Sequence, residues 1–256
     1  MAYQLPEMVT KLTPYTPITG SYPIRLDANE SFITPPHQLV QEMQQAAAGV
    51  AFTRYPDPYA TTLCAAFARL HSLNPALVTA GNGSDELIGI LCGGLLPKGS
   101  VILGLTPDFS MYSFYAHIYE HQWAALPKQG SLQVDFDALI GEAKARGAGM
   151  IILSNPCNPT SLGESREQIL RLAKELPQTL VVADEAYMEF YNQSVIHDAE
   201  QYGNLVVLRT CSKAVGLASL RLGFAVCCPA LTTALQAVKS PYNVSAVSQA
   251  MGGVIL

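Results

Sequence analysis

Residues 180–213 read LVVADEAYMEFYNQSVIHDAEQYGNLVVLRTCSK. Two apolar runs frame this stretch, Leu180–Ala183 and Leu205–Leu208. Both are short, rich in valine and leucine, and continuous rather than alternating. That pattern suits strands covered on both faces, as in a parallel sheet where neither face meets water. Each run stops at a group of chemically capable side chains. The first ends at Asp184-Glu185-Ala186-Tyr187 and the second at Arg209-Thr210-Cys211-Ser212-Lys213.

The same pattern recurs outward in Val101–Leu105, Trp123–Leu126, Met150–Leu153 and Leu222–Cys228. Helical patterns lie between the runs. The spacing predicts a helix over 164–176, with Ile169, Leu172, Ala173 and Leu176 on one face and Ser161 with Glu164 as its capping box. A second begins at Ser84 and runs to Leu96; it is apolar on most faces (Leu87, Ile88, Ile90, Leu91), which predicts deep burial. A third covers Thr232–Lys239 and is broken by Ser240-Pro241. Strands alternating with helices define an α/β fold on a mostly parallel, doubly wound sheet. Residues 1–34, punctuated by Pro6, Pro14, Pro17 and Pro23, read as an irregular N-terminal arm. Residues 35–240 then form a large domain. Residues 241–256 start a new apolar helix, expected to lead into a small C-terminal domain that is largely missing.

At about 150 residues per domain, 256 residues allow one large domain or one domain plus pieces. A hydrophobic share of 49% against 14% charged excludes a disordered chain. Fifteen Lys and Arg against twenty Asp and Glu leave a net charge of −5, which argues against a nucleic-acid partner. The six cysteines show no C-x-x-C spacing, so they read as reduced thiols of a cytoplasmic protein. The N-terminus has no cationic segment followed by an apolar stretch, and no apolar run reaches the roughly 18 residues of a membrane span. His117-Ile118-Tyr119-Glu120-His121 matches an inverted zinc-protease spelling. It overlaps a helix end and a turn, and no metal is expected there.

Open parallel sheets bind ligands beyond the carboxyl ends of their strands. After Ile151-Ile152-Leu153 comes Ser154-Asn155-Pro156-Cys157-Asn158-Pro159-Thr160. Three strand ends thus offer an amide, a carboxylate with a phenol, and an amine with hydroxyls. A lysine between apolar segments must be paired, shifted toward neutrality or used covalently. A desolvated Lys213 is what a Schiff base needs, an ordinary strand-end lysine being the plain alternative. Asp184 ends a run too apolar to host a carboxylate without a cationic partner; it suits either a helix cap or a protonated ring nitrogen. Gly81-Asn82-Gly83-Ser84-Asp85-Glu86 follows Val78-Thr79-Ala80 and opens a helix, an arrangement open to an anion. Glu86 stands where the dinucleotide fingerprint has its third glycine, so it is not that fingerprint. Two acids beside an anion require a cation, and Arg221 is available.

Ser212-Lys213-Ala214-Val215-Gly216-Leu217-Ala218 with Arg221, Asn158-Pro159-Thr160 and Asp184-Glu185-Ala186-Tyr187 together resemble the signatures of the fold-type I pyridoxal 5′-phosphate aminotransferases. Arg25-Leu26-Asp27-Ala28-Asn29-Glu30-Ser31 and Tyr55-Pro56-Asp57-Pro58-Tyr59 are similar to segments of the histidinol-phosphate aminotransferase group within that family. The resemblance implies pyridoxal 5′-phosphate as cofactor, small amino and keto acids as substrates in histidine biosynthesis, and a homodimer with shared sites. It implies that Lys213 is catalytic, condensing with the cofactor aldehyde and then moving a proton. Asp184 would face the pyridine nitrogen, and Asn158 and Tyr187 the 3′-oxygen. Phe109, usually Tyr in the family, would stack on the ring. Ser84, Asp85 and Glu86, with Thr210, Ser212 and Arg221, would hold the phosphate, and Tyr55 would reach it from the other subunit. Ser161 and Ser219 replace glycines of the family pattern. The arginine that grips the substrate carboxylate is expected beyond Leu256. Aromatic transamination, decarboxylation of threonine phosphate, or a folded fragment without turnover remain the alternatives.

Overall fold

The computed structural model describes residues 3–10 and 12–256. Seven strands build one sheet: β1 (Val78–Asn82), β2 (Val101–Thr106), β3 (Gln122–Pro127), β4 (Met150–Ser154), β5 (Leu180–Asp184), β6 (Leu205–Thr210) and β7 (Leu222–Cys227). Their order is β1-β7-β6-β5-β4-β2-β3. Strands β2 to β6 pair in parallel, whereas β7 runs antiparallel to both β6 and β1. The apolar runs of the sequence fall in these strands, except that Cys228 lies past β7 as the cap residue of the next helix, and several strands continue into the polar residues that follow.

Nine helices accompany the sheet among the described residues: α1 (Glu7–Thr10), α2 (His37–Ala48), α3 (Thr61–Leu70), α4 (Ser84–Leu95), α5 (Met111–Ile118), α6 (Phe136–Arg146), α7 (Arg166–Glu175), α8 (Pro229–Val238) and α9 (Ala246–Ile255). Apart from α1, the described residues of the arm up to 34 carry no helix or strand. Side chains alternate across the sheet, as the strand period of two demands. Ile151, Leu153, Val181, Ala183, Val207 and Phe224 join a core with α2, α3, α6 and α7 on one face. Met150, Ile152, Val182, Val206, Leu208 and Ala225 join a second core with α4, α5 and α8 on the other. Both faces are therefore covered, which is why the runs are continuous. Burying each such Leu, Ile or Val contributes about 1.5–3 kcal/mol relative to exposure.

One sequence expectation is corrected here. The helix anticipated over 164–176 is α7, and its cap is Ser165, not Ser161. The Ser165 side chain accepts the Gln168 N–H at 3.4 Å. Ser161 instead adopts a left-handed backbone (φ 60°), the conformation a glycine takes most readily. Glu164 is held back in the preceding loop, its N–H donating to Asn155 Oδ1 at 2.8 Å.

Candidate active site

Topology gathers the chemistry at one edge of the sheet. The carboxyl ends of β2, β4, β5 and β6 carry Asp108, Ser154, Asp184 and Thr210. Because β7 is reversed, it is its beginning that lies at this edge, with Gly223 opposite Thr210. Arg221 precedes β7 and so arrives beside the end of β6. β1 pairs with β7 on the other side, Asn82 opposite Leu222, and delivers the start of α4 to the same place. Two glycines make this approach feasible. A Cβ on Gly223 would lie 2.1 Å from the Ser84 nitrogen, and one on Gly83 (φ +86°) would lie 2.6 Å from the Arg221 guanidinium. Gly83 precedes α4 and supplies no side-chain cap. The first N–H groups of a helix have no partner within it, so this end presents donors and a partial positive charge beside Arg221.

Asp184 anchors the dry end of the site. It is 4% exposed. Its Oδ2 accepts the Tyr112 hydroxyl at 2.9 Å and its Oδ1 accepts the Ala186 N–H at 3.1 Å. Burial pushes its carboxyl up to about 6, against the pull of these two donors; Asp108 and Glu185 add like-charge repulsion. Tyr112 is wholly buried; burial, and after it the Asp184 charge, drives its phenol well above its ordinary value, so it remains a donor. Ser154 donates to Asp108 and accepts the Asn158 N–H at 3.1 Å, which ties the segment after β4 to the end of β2. Phe109 packs edge-on against Tyr112 with centroids 5.5 Å apart.

Lys213 occupies the open end. Its Nζ donates to the Ala28 carbonyl at 2.7 Å and lies 5.7 Å from the centre of the Tyr187 ring. Burial lowers its pKa; Glu30 and Asp184 oppose this electrostatically while Arg221 adds to it. Lys213 is thus close enough to Asp184 and Arg221 to feel both. The Tyr187 hydroxyl accepts from Asn29 Nδ2 at 2.9 Å. Thr210 Oγ1 accepts the Ser212 N–H at 3.1 Å and donates to Ser212 Oγ at 3.1 Å, and Arg221 Nη1 reaches Ser212 Oγ at 3.5 Å.

The structure thus brings Ser84, Thr210, Ser212, Lys213, Arg221, Asp184, Tyr187, Asn158 and Phe109 to one edge. Asp85 and Glu86 share the helix start, but their side chains are engaged elsewhere. Asp85 accepts from the Tyr115 hydroxyl at 2.9 Å. Glu86 accepts from the Asn82 N–H at 2.7 Å and from Asn243 Nδ2 at 2.6 Å. Tyr55 stands apart, 80% exposed and stacked on Tyr242 at 4.5 Å. His121 of the zinc-like spelling bonds the Cys92 carbonyl at 2.8 Å. Sequence reasoning missed Tyr112, Asp108 and the inward-docked Ala28-Asn29. The available signal for Tyr112 was a phenol on a helix that immediately follows a strand end, since a buried hydroxyl needs a partner.

The model of the class I and II aminotransferases matches residues 22–256, and the chain belongs to that family. It is therefore an aminotransferase that works with pyridoxal 5′-phosphate. Among its relatives, the histidinol-phosphate aminotransferase of Clostridium kluyveri is 39% identical over 246 residues, a match covering 96% of this chain and 70% of the relative. The fold is shared with the histidinol-phosphate aminotransferase of Sinorhizobium meliloti, solved in complex with pyridoxal-5′-phosphate (TM-score 0.87, 24% identity, 97% of this chain and 70% of that one). It is also shared with the L-threonine-O-3-phosphate decarboxylase of Porphyromonas gingivalis (TM-score 0.73, 26% identity, 86% of this chain and 68% of that one).

Proposed function

We propose that this chain carries the large-domain machinery of a histidinol-phosphate:2-oxoglutarate aminotransferase, exchanging the amino group of L-glutamate with the keto form of histidinol phosphate. The observation that carries the reading is the placement of a half-buried amine, Lys213, and a buried carboxylate, Asp184, at one edge of the sheet, close enough for the carboxylate to act electrostatically on the amine. The 39% identity to a histidinol-phosphate aminotransferase supports the substrate.

The residues present fit pyridoxal 5′-phosphate. Gly83 leaves open the space beside Arg221 that a Cβ would fill, and the uncapped start of α4 points donors there. A dianionic phosphate suits that cradle, held by Ser84, the backbone beside Asp85 and Glu86, Thr210, Ser212 and Arg221. When bound, the cofactor supplies an aldehyde for amine exchange and an electron sink for charge developing at the substrate Cα. Lys213, lowered in pKa by burial, acts as nucleophile and then as the base that moves the Cα proton. Asp184 holds a proton at the ring nitrogen, and Tyr112 holds Asp184 in place. Asn158 and Tyr187 would serve the 3′-oxygen, and Phe109 would stack on the ring.

The active form is a homodimer in the cytoplasm, with Tyr55 completing the partner's phosphate site. Its exposure supports this, as do the exposed apolar side chains Ile24, Leu26, Phe32 and Ile33 of the arm, which call for cover. Six free, buried cysteines accord with that setting. The test is a single-turnover half-reaction of the holoenzyme with histidinol phosphate, phenylalanine or threonine phosphate. The reading requires fastest conversion of the cofactor to its amine form by histidinol phosphate. Carbon dioxide release from threonine phosphate would instead support the decarboxylase reading, which the likeness to the P. gingivalis enzyme favours.

A further inference from the structure

Cys157 lies in the segment after β4, between Pro156 and Asn158, and has no role in the arrangement above. Its Sγ is 2.8 Å from Nζ of Lys128. That is about the length of an ordinary N–H···O bond. Sulfur is larger than oxygen, so a relaxed N–H···S contact is longer, and this pair is pressed together. Cys157 is only 5% exposed, so its thiol cannot swing away to solvent. Both backbones are anchored. The Lys128 N–H donates to the Thr106 carbonyl at 2.9 Å and the Cys157 N–H to the Leu162 carbonyl at 2.8 Å. Asp108 and Glu164 both interact with the Lys128 charge. Burial raises both carboxyls, which makes them better proton acceptors for an ammonium than exposed carboxylates are.

We propose that Lys128 and Cys157 form a redox modification site, at which a single oxygen atom becomes bonded to both Nζ and Sγ. The oxidant is dioxygen. The ammonium first gives a proton to a neighbouring carboxylate. The amine then loses one N–H and the thiol its S–H, while N–O and O–S bonds form and the O–O bond breaks. The second oxygen leaves as water with the two hydrogens. Nitrogen and sulfur are each oxidised by two electrons, and dioxygen accepts all four. Two equivalents of hydrogen peroxide achieve the same bridge with three waters released. The bridge staples the segment carrying Asn158 to the end of β3 and removes the Lys128 charge from Asp108. Oxidation is thereby coupled to the cofactor side of the sheet, and thiol reduction reverses it.

The experiment exposes the holoenzyme to air-saturated buffer or dilute peroxide, digests it without reductant, and reads the peptides by mass spectrometry. The expected result is a linked pair containing Lys128 and Cys157, heavier than the sum by one oxygen and lighter by two hydrogens, split by dithiothreitol. Lys128→Arg and Cys157→Ser, checked for wild-type circular dichroism and cofactor content, must lack it. An oxygen gain confined to the Cys157 peptide, a disulfide, or no linked pair in the wild type would overturn the proposal.

Discussion

The two ends of the site are built on opposite terms. At the Asp184 end everything is dry: Asp184, Tyr112 and Glu185 are buried, and each polar group is matched by a fixed donor or cation. Glu185 accepts from Arg209 at 2.9 Å, from Ser194 at 2.6 Å and from the Val195 N–H at 2.7 Å. At the Lys213 end the amine is half-buried, Arg221 is exposed, and the covering residues belong to the arm rather than to the sheet. A group that must keep one charge state against a ring gains from a rigid, low-dielectric setting. A group that must attack, release and move a proton needs room and an entry path. The sheet interior supplies the first condition and the open edge the second.

Breaking the open end has the largest expected effect. Lys213→Ala removes the proposed nucleophile and base together, and steady-state kinetics should show kcat reduced by at least about 10⁴-fold. Asp184→Ala strikes the dry end, and loss of its electrostatic support should cost about 10²–10³-fold in kcat with the cofactor still able to bind. A third test uses the cofactor-free protein. Asp184, raised from 3.8 to about 6, keeps its proton in the fold where the unfolded chain has released it. Below about pH 4 neither state bears the charge; above about 6 both do, and the cost of burying it is complete. Unfolding free energy should therefore fall through that window by roughly 3 kcal/mol on account of this group. Asp184→Asn should flatten the slope in urea melts at several pH values, and an unchanged slope would contradict the burial argument. Tyr112→Phe sharpens the comparison further. Losing one hydrogen bond to a charged group is worth about 1.5–3 kcal/mol. The variant should show the pH transition of the dry end shifted upward, with KM for the amino donor little changed. Tyr55→Phe, remote from both ends within one chain, should weaken cofactor retention by about 10-fold or less, read by equilibrium dialysis, and only in the dimer.

Much of the dry end was legible locally. Continuous apolar runs mark strands covered on both faces, and the polar residues that stop them mark the carboxyl edge, so Asp184, and at the open end Lys213, stand out by position, whereas Asn158 is picked out from Asn155 only by the Asn-Pro-Thr resemblance. What stayed hidden depends on pairing across long stretches of chain. Tyr112 meets Asp184 over 72 residues and Lys213 meets Ala28 over 185. No periodicity reports such contacts. The reversal of β7, which brings Arg221 to the site, is likewise a property of the sheet and not of the run itself. The helix cap shows a subtler loss. Ser161 with Glu164 and Ser165 with Gln168 both satisfy the capping spacing, and only the left-handed turn at Ser161 decides between them. The acids after Gly83 show the reverse case: sequence placed Asp85 and Glu86 at the anion site, whereas their side chains serve Tyr115, Asn82 and Asn243.

The most direct check on the account is borohydride reduction of the holoenzyme followed by peptide mapping. The reduced pyridoxyl group should sit on Lys213 alone, and Lys213→Ala should yield protein without the label. A label on Lys128 or Lys239, or one retained in the variant, would show that the amine at the end of β6 is not the one the cofactor uses.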